Sequence, residues 1–323
     1  MGERSSNKKT KPKRSPQQII EKLKDQGITF EHVSEEEALA MLSREMNYFR
    51  VAAFRKNYIK DENGKYIGLD FGALLELYRL DRALRRELLI MCLDLEQALK
   101  AKILVDIDAD GTTDGYDIVK QFLMKDKSAL HQIETNATTV FSKGMLEKYF
   151  TMDKGDDQCR PILAYDDCPA WVLTEALNFY DFSKFYKSYY ESRDRDYIAG
   201  AVISLIRDLR NGCAHNNELL VDLNSGRTFI QRDLLEYIGR FTTDRRFDQR
   251  IYTGRPTLEI IALFYAYEKA CGLLQTREAA TGLMQVFRDA KLHAEYYDGS
   301  LILKESWLLI KRLLGMYTLS SGG

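Results

Sequence analysis

The segment LYRLDRALRRELLIMCLDLEQALKAKI, residues 77–103, decides how the chain is read. Leu77, Leu84, Leu88, Leu95, Leu99 and Ile103 recur at intervals of four or seven, which is the spacing of one helical face. Asp81/Arg85 and Glu96/Lys100 add two opposite-charge pairs four residues apart, the separation at which side chains meet along a helix. The pattern predicts a long helix from about Phe71 to Val105.

Working outward, helical signals dominate. Ile19, Ile20 and Leu23 follow Pro16 and predict a short helix. Ser34-Glu35-Glu36-Glu37 has the form of a capping box, with Leu39, Leu42, Met46 and Phe49 as the buried face of the next helix. Phe49, Phe54 and Phe71 are expected in the core. Asn63-Gly64, between Tyr58-Ile59 and Tyr66-Ile67, predicts a small hairpin. Helices are also expected at about Ile118–Met124, from Pro169 onward and from about Arg195 to Arg210. After the loop at Asn224-Ser225-Gly226, two or three more should reach the C-terminus. No fixed repeat and no βαβ alternation occurs. The expected fold is all-α: a helical bundle with extra N- and C-terminal helices and at most a small β-hairpin.

Composition narrows the function classes. The 323 residues are 45% hydrophobic and 29% charged, with a formal net charge of −1, which fits a globular core and no generally cationic surface. The five cysteines are scattered without metal-ligand spacing, so free thiols are expected rather than disulfides or zinc. The apolar runs are too short to cross a bilayer and the start has no signal-peptide core, so a cytoplasmic location without membrane contact is expected. Residues 1–15 read as a disordered basic tail, and 16–323 as one domain with a variable polar insertion at about 106–168. Lys8, Lys9, Lys11, Lys13 and Arg14 in the tail read either as a phosphate-attracting arm for RNA or as a solvated terminus.

Two further patterns carry competing readings. DIDADGTTDGYD, residues 106–117, places Asp106, Asp108, Asp110, Gly111, Asp114 and Asp117 near calcium-loop spacing. Its last position is Asp rather than Glu, and an acidic surface loop is the plainer reading. Tyr180, Tyr186, Tyr189 and Tyr190 either stack on bases or fill seams between helices.

RDLRNGCAHNNELL, residues 207–220, holds the candidate chemistry. A histidine can move a proton near neutral pH. Arginine offers a planar, permanently charged fork suited to phosphate. Asparagine adds neutral donors and an acceptor. Together Arg210, Asn211 and His215 suit phosphodiester cleavage by general acid–base catalysis. RNA supplies its own nucleophile in the 2′-hydroxyl, so neither a protein nucleophile, a metal nor a cofactor is expected. Five residues along a helix turn about 140° past one another. Arg210 and His215 therefore do not share a face of a straight helix. Either the helix distorts near Gly212, or two copies of the chain complete one cleft. The plainer alternative is that His215 caps the helix end.

RNGCAH resembles the arginine-to-histidine signature of the HEPN superfamily of ribonucleases, in which a polar residue follows the arginine. LRNGCAHNN together with PAWVLTEALNFYDFSKFY (169–186), residues 77–103, MNYFRVAAFRKNY (46–58) and QQIIEKLKDQGI (17–28) resembles the Abi-like abortive-infection family (AbiD/AbiF type) of bacterial phage defence. The resemblance implies a HEPN-type all-α fold and a toxin-like, metal-independent endoribonuclease for antiviral defence. It also implies a homodimer and, as in some relatives, a structured small RNA that inhibits or guides. Carried over, Arg210 and His215 are the catalytic pair and Asn211 the accompanying polar residue. Glu96 and Arg207 are supporting candidates, with Glu96 equally readable as a partner for Lys100. Asn216-Asn217-Glu218-Leu219-Leu220 and Tyr180-Asp181-Phe182-Ser183 depart from the family pattern and leave substrate contacts open. A non-catalytic RNA clamp, or a toxin–antitoxin interaction module, is the alternative function.

Overall fold

The leucine stripe becomes a single helix of 38 residues, α4, Phe71–Asp108. All six stripe residues are fully buried. Each such side chain removed from water contributes about 1.5–3 kcal/mol. Asp70 caps the helix, accepting from the N–H of Gly72 at 2.7 Å. The computed structural model describes residues 13–44, 47–136, 144, 148–149, 151–153, 160–162, 168–194, 197–223, 230–243 and 254–318.

Ahead of α4 come α1 (Pro16–Asp25), α2 (Glu35–Arg44), α3 (Tyr48–Val51) and a 3-10 turn, Ala52–Asn57. Ser15 and Gln18 form a capping box on α1. The Ser34/Glu37 box on α2 forms as read from the sequence, with reciprocal bonds of 3.0 and 3.2 Å. Phe54 and Phe71 are buried as expected, but Phe49 is 78% exposed. Asn47 accepts from the N–H of Phe49 and starts a new helix, which turns that ring away from the face continued from α2. Met46 lies outside the described residues. The Asn63-Gly64 hairpin is reduced to one antiparallel bridge, Lys60 to Tyr66.

After α4 follow α5 (Asp117–Lys125), α6 (Lys127–Asn136) and a two-stranded antiparallel ribbon, β1 (Thr151–Asp153) with β2 (Arg160–Ile162). Among the described residues the elements that follow are helical: α7 (Ala170–Ala176), α8 (Phe179–Glu191), α9 (Gly200–Ala214), α10 (Arg232–Gly239), α11 (Arg255–Cys271), α12 (Leu273–Asp289), a 3-10 turn (Ala290–Tyr297) and α13 (Leu301–Thr318). The all-α expectation holds. Helices α4, α9 and α11 pack on one another, and α12 joins α4 to α13. One hydrophobic core runs through them, from Ile20 of α1 to Tyr317 of α13. The Asn224-Ser225-Gly226 loop lies outside the described residues.

The acidic segment 106–117 does not form a calcium loop. Helix α4 continues through Asp108, so Asp106 and Asp108 are helical residues pointing about 200° apart. Asp106 pairs with Lys102 and accepts from the Tyr190 hydroxyl at 2.5 Å. Asp110 pairs with Arg193. The Thr112 hydroxyl first, and then Arg193, hold the Asp110 carboxyl well below the usual range. These acids tie the end of α4 to α8 and the turn after it. Among the described residues, no group of three or more His, Cys, Asp or Glu side chains is placed to hold a metal ion.

Candidate active site at the end of helix α9

Helix α9 buries Val202, Ile203, Ile206, Leu209 and Cys213, the apolar stripe that seats it against α4 and α11. The residues between them, Arg207, Asp208, Arg210 and Asn211, are only half-buried. The helix runs through Gly212 to Ala214 without interruption. Of the two geometries open from the sequence, distortion near Gly212 is therefore absent. Arg210 and His215 sit on different faces of one helix end.

The helix closes on backbone bonds. The N–H of Asn216 donates to the C=O of Cys213 at 3.2 Å, and that of Asn217 to Gly212 at 2.8 Å. This is a Schellman motif, with Asn216 in the left-handed conformation at φ 56°. His215 is its C-cap, donating only its backbone N–H, to Asn211 at 2.9 Å. The ring itself is exposed, and among the described residues no hydrogen bond or ion pair engages it. Capping thus uses the histidine's position and leaves its imidazole free.

Arg210 is half-buried and donates from Nη1 to Asn211 Oδ1 at 3.3 Å. Its Nε is buried with no hydrogen-bond partner among the described residues. The guanidinium lies near Cys92 of α4. Burial pushes that thiol well up, while the Arg210 charge acts on it in the opposite direction. Glu96, one turn further along α4, is buried and pairs with Lys100 at 3.2 Å. Its Oε2 is buried without a hydrogen bond among the described residues. Arg207 turns elsewhere: it pairs with Asp208 at 2.9 Å and stacks over Tyr180, 5.2 Å from the ring centre. Of the four tyrosines on α8, Tyr186, Tyr189 and Tyr190 are buried in the seam, and only Tyr180 stays exposed, at 46%. Lys13 and Arg14 are exposed just before α1, and Lys8, Lys9 and Lys11 lie outside the described residues.

Several residues close to this helix end escape a reading of α9 alone. Asp81 is wholly buried, and its Oδ1 accepts from the N–H groups of Leu219 and Leu220, both at 2.7 Å. Burial pushes its carboxyl up to about 6, against the pull of Arg85 and of the two amides. Asn57 and Arg50 also reach the segment after His215. On the other side, Asp208 meets Arg255 of α11 at 3.2 Å, and Arg255 meets buried Glu259 at 2.8 Å. Burial pushes the Glu259 carboxyl up to about 7, with Arg255 opposing. The only sequence signals for these residues were the charge pair Asp81/Arg85 and the motif MNYFRVAAFRKNY, which contains Arg50 and Asn57.

An all-α fold built on one long buried helix, with Arg, Asn and His gathered at the end of a second helix beside it, defines a recognisable class. The chain belongs to the Abi-like protein family, whose model matches residues 41–220. That span holds α3, α4, α9 and the Arg210–His215 segment, and ends at Leu220, the last residue bonded to Asp81. No curated protein and no solved structure matches the chain. Among the described residues, no helix is long and apolar enough to cross a membrane.

Proposed function

We propose that the protein is a metal-independent endoribonuclease of the HEPN type, acting in bacterial abortive-infection defence against phage. The observation that carries this reading is unused hydrogen-bonding capacity at the end of α9. Among the described residues, Arg210 Nε–H has no partner and neither ring nitrogen of His215 is bonded. Membership of the Abi-like family supports it.

In this reading Arg210 binds the scissile phosphate and stabilises the charge that builds on its oxygens. His215 moves the proton. Asn211, bonded to Arg210, orients the guanidinium. The 2′-hydroxyl attacks phosphorus and the bond to the 5′-oxygen breaks. The hydroxyl proton leaves through a base, and the departing oxygen gains one. The products carry a 2′,3′-cyclic phosphate and a 5′-hydroxyl. Because Arg210 and His215 lie on different faces, a homodimer with two α9 ends in one cleft completes the proposal. A structured small RNA that restrains or guides the enzyme belongs to it as well, as does action in the cytoplasm.

A second reading, a phosphate clamp that binds RNA without cutting it, draws on a different observation: among the described residues no carboxylate orients the His215 ring. Labelled RNA incubated with pure protein in EDTA separates the two. The nuclease reading expects cleavage by wild type and a loss of at least about a hundredfold in Arg210→Ala and in His215→Ala, the usual scale for removing such groups. RNA binding without cleavage in any variant would leave the clamp.

A further inference from the structure

The segment that follows His215 is held at each of its first five residues, four of them through backbone atoms, and again at Leu223. Arg50 of α3 donates to the C=O of Asn216 and lies 3.2 Å from Glu218 Oε1. Arg85 of α4 donates to the C=O of Asn217 at 3.1 Å while pairing with Asp81. Asp81 takes the consecutive N–H groups of Leu219 and Leu220 on a single oxygen. Asn57 takes the opposite sides of the same stretch, donating to the C=O of Leu220 at 2.6 Å and accepting from the N–H of Leu223 at 3.2 Å. Asn57 is itself anchored, its C=O accepting from the Ser300 hydroxyl at 2.7 Å.

A carboxylate removed from water is costly unless its oxygens are bonded. Asp81 is matched by a guanidinium and two amides, and those amides belong to the chain four and five residues beyond His215. Leu219 also packs beneath α9, close to Gly212. Among the described residues nothing bonds the His215 ring. Its placement therefore comes from the backbone on either side: α9 before it and the clamped segment after it. A reacting group displaced by about 1 Å can lose on the order of a hundredfold in rate.

We propose that Asp81, working with Arg85, is a positioning residue for His215, fixing the exit backbone that sets where the imidazole meets substrate. The inference rests on the nuclease reading of His215, and its test is built so that the two can fail separately. Full-length Asp81→Asn keeps the side-chain shape but loses the charge facing Arg85. Arg85→Gln releases the Asn217 carbonyl and serves as the second variant where Asp81→Asn does not fold. The control is Ile103→Val, buried at the far end of the same helix, which lowers stability without touching the segment.

The expected result is a fall of at least about tenfold in kcat with KM within about twofold, and kcat unchanged in the control. Amide exchange at Leu219 and Leu220 accelerates, and the His215 ring resonances shift, in the Asp81 or Arg85 variant alone. Unchanged kcat in a variant with accelerated exchange would make Asp81 structural only and overturn the inference. An equal fall of kcat in Ile103→Val would overturn it too. If wild type does not cleave RNA at all, the nuclease reading fails, and the His215 resonances decide: ring signals unmoved by Asp81→Asn overturn positioning.

Discussion

Helix α4 carries two ion pairs that look interchangeable in the sequence and are not. Asp81–Arg85 and Glu96–Lys100 are both opposite charges four residues apart, and both are buried. Both oxygens of Asp81 are bonded, and its partners include backbone from a segment 138 residues away. Glu96 is half-matched, with Oε2 bonded to nothing among the described residues. The first pair joins two distant parts of the chain. The second joins two turns of one helix, with the Lys100 ammonium set 5.9 Å over the Phe182 ring. A charge pair on a helix is worth a few tenths of a kcal/mol when exposed. Once buried, its value depends on which other groups need it.

The largest effect should come from replacing the first pair by apolar residues of similar size. Asp81→Leu with Arg85→Met removes the acceptor for two buried amides and the donor for the Asn217 carbonyl. A loss of about 3–5 kcal/mol in denaturant unfolding is expected, from roughly 1–3 kcal/mol per unmatched group. The parallel double change, Glu96→Leu with Lys100→Met, should stay within about 1 kcal/mol of wild type, because no backbone group among the described residues depends on it. Equal losses at both sites would erase the contrast.

Glu259 sharpens the comparison through pH. Its folded carboxyl titrates at about 7, above its ordinary value of 4.5. The folded state therefore holds that proton more tightly than the unfolded chain. Stability is highest, as far as this group is concerned, below about 4.5, falls as pH rises, and levels off above about 7. Asp81 tilts stability the same way but levels off near 6. From about 6 to 7 Glu259 still contributes where Asp81 has levelled off. Glu259→Gln should flatten that interval in thermal unfolding followed against pH, and an unaltered slope would assign it elsewhere.

Asn216 gives a smaller effect on the same exit segment. Its left-handed backbone penalises a Cβ without a local polar partner by about 1–2 kcal/mol. Asn216→Ala should lower stability by about 1 kcal/mol in chemical denaturation, and Asn216→Gly by no more than a few tenths.

The long helix was legible because six leucine and isoleucine residues repeat at helical spacing and nothing competes with them. Phe49 was misplaced because periodicity continues through Asn47, whereas the chain restarts there on a side-chain cap. The calcium-like spacing misled because it counts carboxylates along a sequence and cannot show that α4 extends through the first two. Arg210, Asn211 and His215 were legible as residue types gathered at one helix end. The turn angle already separated Arg210 from His215, and the undistorted α9 keeps that separation. Asp81, Asn57 and Arg50 were not legible as neighbours of His215. Their bonds span more than a hundred residues and go to backbone atoms, which carry no side-chain signature.

The measurement closest to the centre is the chemistry of the RNA ends. RNA incubated with the wild-type protein in EDTA should yield fragments ending in 2′,3′-cyclic phosphate and beginning with 5′-hydroxyl, and Arg210→Ala and His215→Ala should yield none. Fragments with 3′-hydroxyl and 5′-phosphate ends, or cyclic-phosphate fragments undiminished in both variants, would contradict a 2′-hydroxyl attack assisted by these two residues.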